Sequence, residues 1–322
     1  MGPEYTYYIV TGIDYDENDK SNLAIIIPKE YKGYPVVAIK NEAFKKETRI
    51  KSVNISDNVS VIGYEAFSGC TGLKNIELPE SVVVIGENAF SECRNLISIE
   101  LSKNVELIGI GAFSGCTGLT SMTVDEKNPI FDSRLDCNAI IETKSNKLIS
   151  GCKKTKIPDS VTSIESYAFS KCYSLTDLVI PNSVTSIKSY AFNECTGLTS
   201  VEIPNSINYI ERYVFYKCEN LKSVVIPDSV TVIGSYAFSE CKSLTNIEIP
   251  TSVDTIRNYA FEGCTSLTSI VIPINVEYMG SYVFNNCTNL TVYCVAPGKP
   301  DKWDDDWGGN VNKIVWYYKN NK

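Results

Sequence analysis

A chain of 322 residues is long enough for two domains, yet it contains no histidine. That removes Ser/His/Asp and Cys/His nucleophile pairs, the HExxH zinc site and any histidine general base. An apolar content of 43% with 21% charged residues is globular, no apolar run approaches the roughly 20 residues that span a bilayer, and a net charge of -8 with dispersed Lys and Arg makes nucleic acid and acidic membranes unexpected partners.

The first forty residues read as a capping strand pair, Tyr5 to Thr11 and Leu23 to Ile27, around a polar loop from Asp14 to Asn22 that gives the first coil a polar outer side. Asp14, Asp16 and Asn18 imitate half of a calcium loop, but Asp19 stands where Gly is needed and Ile25 where the bidentate Glu belongs, so a solvated turn is expected. Met1, Gly2 and Thr6 formally fit a myristoylation signal. Pro3 follows at once, however, and MGP reads as a vector remnant ahead of a trimmed domain.

A fixed period then takes over. Phe44, Phe67, Phe90 and Phe113, and again Phe169, Phe192, Phe215, Phe238, Phe261 and Phe284, follow one another at 23-residue steps, with one step of 56 between Phe113 and Phe169. Cys70, Cys93, Cys116, Cys172, Cys195, Cys218, Cys241, Cys264 and Cys287 each lie three residues after a repeat Phe. In the unit from Leu198 to Asn220, Val201 and Ile203 alternate with Ser200 and Glu202 as a half-buried strand requires. Pro204 ends that strand, as Pro79, Pro181, Pro227, Pro250 and Pro273 do elsewhere, because proline lacks an amide donor and fixes a bend. Ile207 and Ile210 mark a second short extended stretch, and Val214 and Phe215 return the chain to the core. Coils stacked at about 4.8 Å would align Phe, Cys and Leu as internal ladders.

These residues resemble the leucine-rich repeats of the bacterial surface protein A (BspA) type. Leu175 to Cys195 (LTDLVIPNSVTSIKSYAFNEC) and Leu221 to Cys241 follow the family's pattern closely, and the match extends to the opening IIIPKEYKGYPVVAIKNEAF and the closing LTVYCVAPGKPDKWDDDW. The resemblance implies a mainly β solenoid, a right-handed superhelix with short strands per coil, one inserted β-hairpin and two caps. It also implies a secreted or cell-surface protein used for attachment to host extracellular proteins, other cells or glycans. No signal peptide is visible, so this location rests on the resemblance. The expected organisation is an N-terminal cap over 1–40, repeats over 41–296 with an insertion at about 125–156, and a C-terminal cap over 297–322, in one continuous, monomeric domain.

In the insertion, Ala139 to Thr143 and Lys147 to Gly151 flank a Lys144, Ser145, Asn146 turn and predict a hairpin between four units and six. The last segment holds Trp303, Trp307 and Trp316, whose bulk is expected to cover the open end of the core; Asp304, Asp305 and Asp306 read as a solvated acidic run.

The ladder cysteines read as small buried hydrophobes rather than as metal ligands or bridges: there is no CxxC pair, and parallel thiols approach each other wrongly for a disulfide. Cys137 and Cys152 fall nearly opposite each other across the hairpin, which leaves a disulfide open, while Cys294 occupies a strand position that elsewhere faces outward, so the C-terminal cap is expected to cover it or to leave a free thiol. Sequons at Asn54, Asn58, Asn286 and Asn289 would matter only in a eukaryotic secretory host.

No catalytic residue, cofactor or metal is expected. Function is expected instead in outward-facing rows: the third unit position (Ser52, Asn75, Ser98, Ser121, Asp177, Ser200, Ser223, Asn246, Ser269) and the fifth (Asn54, Glu77, Glu100, Thr123, Val179, Glu202, Val225, Glu248, Val271). These rows read either as a soluble sheet with tolerable electrostatics or as a mildly acidic groove for an extended polypeptide or glycan. Two residues before each later Phe lie Tyr167, Tyr190, Tyr213, Tyr236, Tyr259 and Tyr282, where the first four units have Glu42, Glu65, Asn88 and Gly111. This stripe reads either as a stabilising stack or as a contact surface. The candidate ligand surface is therefore the tyrosines together with Asp177, Val179, Glu202, Val225, Asn246, Glu248 and Val271. The leading function is a non-enzymatic attachment module for a host extracellular protein or glycan; the alternative is a structural spacer within a larger surface protein.

Overall fold

The computed structural model describes residues 7–13 and 21–319. The calcium-like loop from Asp14 to Asp19, most of the polar loop, and Met1 to Thr6 lie outside the described residues. The fold is a β-solenoid in which the 23-residue period of the sequence becomes one coil. Compact packing divides the chain into two units, Met1–Thr155 and Lys156–Lys322.

Most regular coils carry two short strands. In Met1–Thr155 the first ladder stacks Leu23–Ile27, Ile50–Ile55 and Asn75–Glu77 in parallel, and Ser98–Leu101 with Ser121–Val124. The second stacks Tyr8–Val10, Tyr34–Ile39, Val61–Ile62, Val84–Ile85 and Leu107–Ile108. Partners sit one coil apart, as in Val53 with Ile76 and Ile62 with Ile85. The N-terminal strands therefore correct the expectation of a strand pair: Tyr8–Val10 and Leu23–Ile27 begin different ladders, because a parallel coil offers each its own edge. Their outward residues are not uniformly polar, since Ile9 and Ile26 are exposed. A small antiparallel hairpin, Glu30–Tyr31 with Tyr34–Ile39, turns through Lys32 and Gly33, both with positive φ as a tight two-residue hairpin turn requires.

Between strands the chain runs through turns that are themselves laddered. The amides of Glu65, Phe67 and Gly69 donate to the carbonyls of Glu87, Ala89 and Ser91 in the next coil, while those of Ala66, Ser68 and Cys70 donate three residues back within their own coil. Alternate amides thus serve the stack and the turn, and both sets of buried backbone groups are satisfied. The repeat prolines close the other bend: the carbonyls of Pro79, Pro204, Pro227 and Pro250 accept from Val82, Ile207, Val230 and Val253.

Inside, repeat Phe rings stack at centroid separations of 5.0–5.6 Å with planes within 11° of parallel, from Phe44 to Phe113 and from Phe169 to Phe284. Beside them the thiols are more than small hydrophobes. Cys93, Cys218, Cys241 and Cys264 each donate through Sγ to the carbonyl of the preceding coil's Phe at 3.2 Å, and Cys70, Cys116, Cys195 and Cys287 do so at 3.0–3.1 Å. That carbonyl already accepts an amide from its own turn, so the thiol takes its second lone pair.

The insertion forms three antiparallel strands, Phe131–Asp132, Ala139–Glu142 and Lys147–Gly151. Buried Asn128 anchors it, donating to Ser102 and Val105 carbonyls and accepting from the Ile130 and Phe131 amides. Cys137 and Cys152 are buried free thiols, hydrogen-bonded to the carbonyls of Ala139 and Asn138.

In Lys156–Lys322 the first ladder runs Ser200–Glu202, Ser223–Val225 and Asn246–Ile247, then Ser269–Ile272, Thr291–Cys294 and Lys313–Val315; the second runs Tyr209–Ile210, Val232–Ile233, Thr255–Ile256 and Tyr278–Met279, with Ser163–Ile164 paired to Ser186–Ile187. The last coil is one residue short, which places Cys294 beside Ile272 rather than in an outward row. Cys294 is consequently a fully buried free thiol that faces the core, which corrects its assignment to an outward position. Trp303 and Trp307 are buried, Trp303 donates its indole N–H to Val276, and Trp307 meets the last spine ring, Phe284, edge to face at 6.1 Å. The tryptophans are therefore a cap.

Burial pushes the thiols of Cys70, Cys218, Cys287 and Cys294 up to about 12, and those of Cys93, Cys195, Cys241 and Cys264 well above their usual value. Raised folded-state values favour the protonated fold, so stability is fully present below the unfolded thiol value of roughly 8.5 and falls as pH rises from there toward the folded values. Urea midpoints measured from pH 7 upward should show that fall, and replacing Cys218 and Cys241 with Ala should make it shallower.

Candidate functional site

Period-two alternation decides which strand residues are available. Inward residues such as Val201, Val224, Ile247 and Ile270 are buried, whereas the third and fifth positions are exposed or half-buried in both units. Register aligns them: Ser200 lies beside Ser223 and then Asn246, and Glu202 beside Val225. Asp177 and Val179 belong to a run, Leu175 to Ile180, that carries no strand, yet the alternation in burial persists there, with Leu175 and Ile180 buried and Val179 83% exposed.

On Lys156–Lys322 this face holds two shallow depressions. One, of about 780 Å³, brings Asp177, Val179, Ser200 and Glu202 together with Asp159. The other, of about 570 Å³, gathers Asn246, Glu248, Ser269 and Val271 with Asp228 and Tyr318. Val225 lines neither, and is 58% exposed. No Lys or Arg lines either depression. Asp159 and Asp228 were missed in the sequence although each follows a repeat proline, a position where Asp or Asn recurs. Tyr318 left no such signal, because the cap brings it there. Met1–Thr155 has a more acidic depression of about 480 Å³, lined by Glu77, Glu80, Glu100 and Asp125.

The six tyrosines form one stack. Successive ring centroids from Tyr167 to Tyr282 lie 4.6–5.4 Å apart, with planes within 23° of parallel. All six residues have φ between 57° and 65°, and Glu42 and Gly111 at the equivalent positions have 60° and 67°. The turn geometry imposes this left-handed conformation, which costs an L-residue about 1–2 kcal/mol. Each stacked pair contributes about 0.5–1.5 kcal/mol, and an interior ring makes two, so stacking offsets the backbone strain. The ring faces are thereby occupied, and edges and hydroxyls remain for contact. Burial raises the Tyr213 and Tyr236 hydroxyl pKa values, and the Asp306 carboxylate raises that of Tyr282, to which the Tyr282 hydroxyl donates at 3.3 Å.

Chemically, the sheet face offers exposed carboxylates and valines on an open surface. Among the described residues no group of three or more Cys, Asp or Glu side chains is placed to hold a metal ion, and no helix is long and apolar enough to cross a membrane.

A family model for the BspA-type leucine-rich repeat region matches residues 37–149, 139–231 and 208–297. The chain belongs to the BspA-type leucine-rich repeat family. Its fold is similar to that of a leucine-rich repeat protein from Eubacterium ventriosum (TM-score 0.64, 19% identity, covering 89% of this chain and 86% of that one). It is also similar to the pneumococcal vaccine antigen PcpA (TM-score 0.60, 18% identity, 95% and 92% covered) and to a leucine-rich cell surface protein from Faecalibacterium prausnitzii (TM-score 0.52, 23% identity, 93% and 89% covered). A search of curated proteins finds no match.

The tyrosine stack yields an inverted substitution order. Tyr213→Gly and Tyr213→Ala both remove the same three ring contacts, two stacked and one edge to face with Tyr216, but Gly accepts positive φ, so the Gly variant should be more stable by about 1 kcal/mol, opposite to their order within ordinary strands and helices. Urea unfolding of the two variants measures the difference.

Proposed function

We propose that this BspA-type chain is a non-enzymatic binding module, secreted or displayed on a bacterial surface, that attaches to host extracellular proteins, other cells or glycans. The observation that carries the reading is the outward face of Lys156–Lys322, where Val179 and Val225, 83% and 58% exposed, share a row with exposed Glu202 and Glu248. Isolated exposed valines are ordinary, but repetition in one row beside two depressions builds a contact surface that a spacer would not need. Family membership supports a scaffold whose specificity lies in its repeated surface, and the similar F. prausnitzii chain is described as a cell surface protein. The absence of histidine agrees with a function that needs no imidazole chemistry. The tyrosine edges are the second candidate contact surface.

The folded chain should show saturable binding in a screen of extracellular-matrix proteins, whole cells and glycans. A Val225→Lys variant with unchanged circular dichroism should bind about tenfold more weakly. Binding unchanged in that variant but lost in a folded Tyr213→Ala, Tyr236→Ala double variant would move the contact to the stack, and no saturable ligand would leave a spacer.

A further inference from the structure

The fifth-position row of Lys156–Lys322 has a longer period than the coils that build it. It reads Val179, Glu202, Val225, Glu248, Val271, so like residues recur at every second coil. With strands about 4.8 Å apart, that repeat is about 9.6 Å. A β-strand laid along the row would present side chains to it every 6.8 Å or so and lose phase within two contacts. A polyproline II helix has three residues per turn at about 3.1 Å each, so one face repeats at about 9.3 Å and stays in phase.

Charge selects the occupant further. Glu211, Glu219 and Glu277 each lie within 4.0 Å of a lysine, but the side-chain carboxylates of Asp159, Glu202 and Asp228 on this face have no ion-pair or hydrogen-bond partner among the described residues. Neither flanking depression contributes a cation, and prolines Pro181, Pro204, Pro250 and Pro273 form part of their lining. Met1–Thr155 does not repeat the arrangement: Glu77 and Glu100 occupy consecutive coils, with no valine in the row.

We propose that this row is a docking strip for a basic polyproline II segment of a partner protein, one with Lys or Arg at every third residue. The cations meet Glu202 and Glu248, and the intervening apolar residues lie over Val179, Val225 and Val271. Pre-organisation of the segment reduces the ordering entropy that a flexible basic chain would lose on such a shallow face. This assignment rests on the binding reading above and names its partner chemistry.

The test is fluorescence anisotropy with a labelled peptide of about six Lys-Pro-Pro repeats, beside a Lys-Gly-Ser peptide of equal charge and a Glu-Pro-Pro peptide. Saturable binding of Lys-Pro-Pro is expected, about tenfold tighter than Lys-Gly-Ser, with none for Glu-Pro-Pro. A Glu202→Gln, Glu248→Gln double variant should weaken it about tenfold, and a Glu77→Gln, Glu100→Gln double variant, with the same charge change, should not. No binding of Lys-Pro-Pro, equal affinity for Lys-Gly-Ser, or equal loss in both double variants would overturn the proposal. If Lys-Pro-Pro fails while a screened protein or glycan binds in a manner sensitive to Val225→Lys, the polyproline partner falls and the binding reading stands. If nothing binds, both fall.

Discussion

Each coil must place its phenylalanine ring on the ring of the coil before it, and everything else in the structure is arranged around that stack. Rings 5.0–5.6 Å apart and nearly parallel hold successive phenylalanines at a 23-residue spacing within each run. The period of 23 is therefore a packing constraint, held on one side by the strand ladders and on the other by turn amides that alternate between their own coil and the next. Eight of the ladder cysteines tie neighbouring coils by giving the thiol proton to the carbonyl of the preceding phenylalanine. A serine there would make a stronger donor but would place a more polar group in the core, and alanine would leave the carbonyl with one partner.

The same constraint explains why tyrosine stands where glycine or asparagine would be easier. The turn before each Phe needs a left-handed residue, and the first four coils use Glu42, Glu65, Asn88 and Gly111. The later coils use tyrosine six times in succession. Strain at each backbone position is offset by contact with the ring above and the ring below, which works only when neighbouring coils carry the same residue. Repetition thus has a local physical reason here, separate from any ligand. It also divides the surface: the stack has committed its ring faces, while the sheet face of the same unit keeps valines and carboxylates turned toward solvent.

Because the fold occupies the interior so completely, specificity is confined to positions that the period leaves free. An open row can select a partner by spacing and charge, with shallow depressions on either side, rather than by enclosing it. Valines at every second coil, two of them exposed, with carboxylates between them, form a pattern at a scale of two coils. That is a property of the stack and not of any single repeat.

Much of this architecture follows from the sequence, because a repeat makes distance along the chain equivalent to distance along the stack. The Phe and Cys positions alone identify the ladders, the prolines the bends, and the outward rows the available surface. Where the period breaks, the sequence loses its ruler. The N-terminal strands look like partners by adjacency, yet each extends a different ladder; Cys294 looks exposed by counting, yet a coil one residue short turns it inward. Asp159 and Asp228 join the surface across a bend, and Tyr318 arrives from the cap. The left-handed backbone under the tyrosines was equally invisible, since nothing in a side chain's identity reports a conformation imposed by neighbouring coils. Local pattern determined the repeat, its core and its faces; only tertiary packing decided the register at the ends, the strain in the turns and the set of residues that meet on the open face.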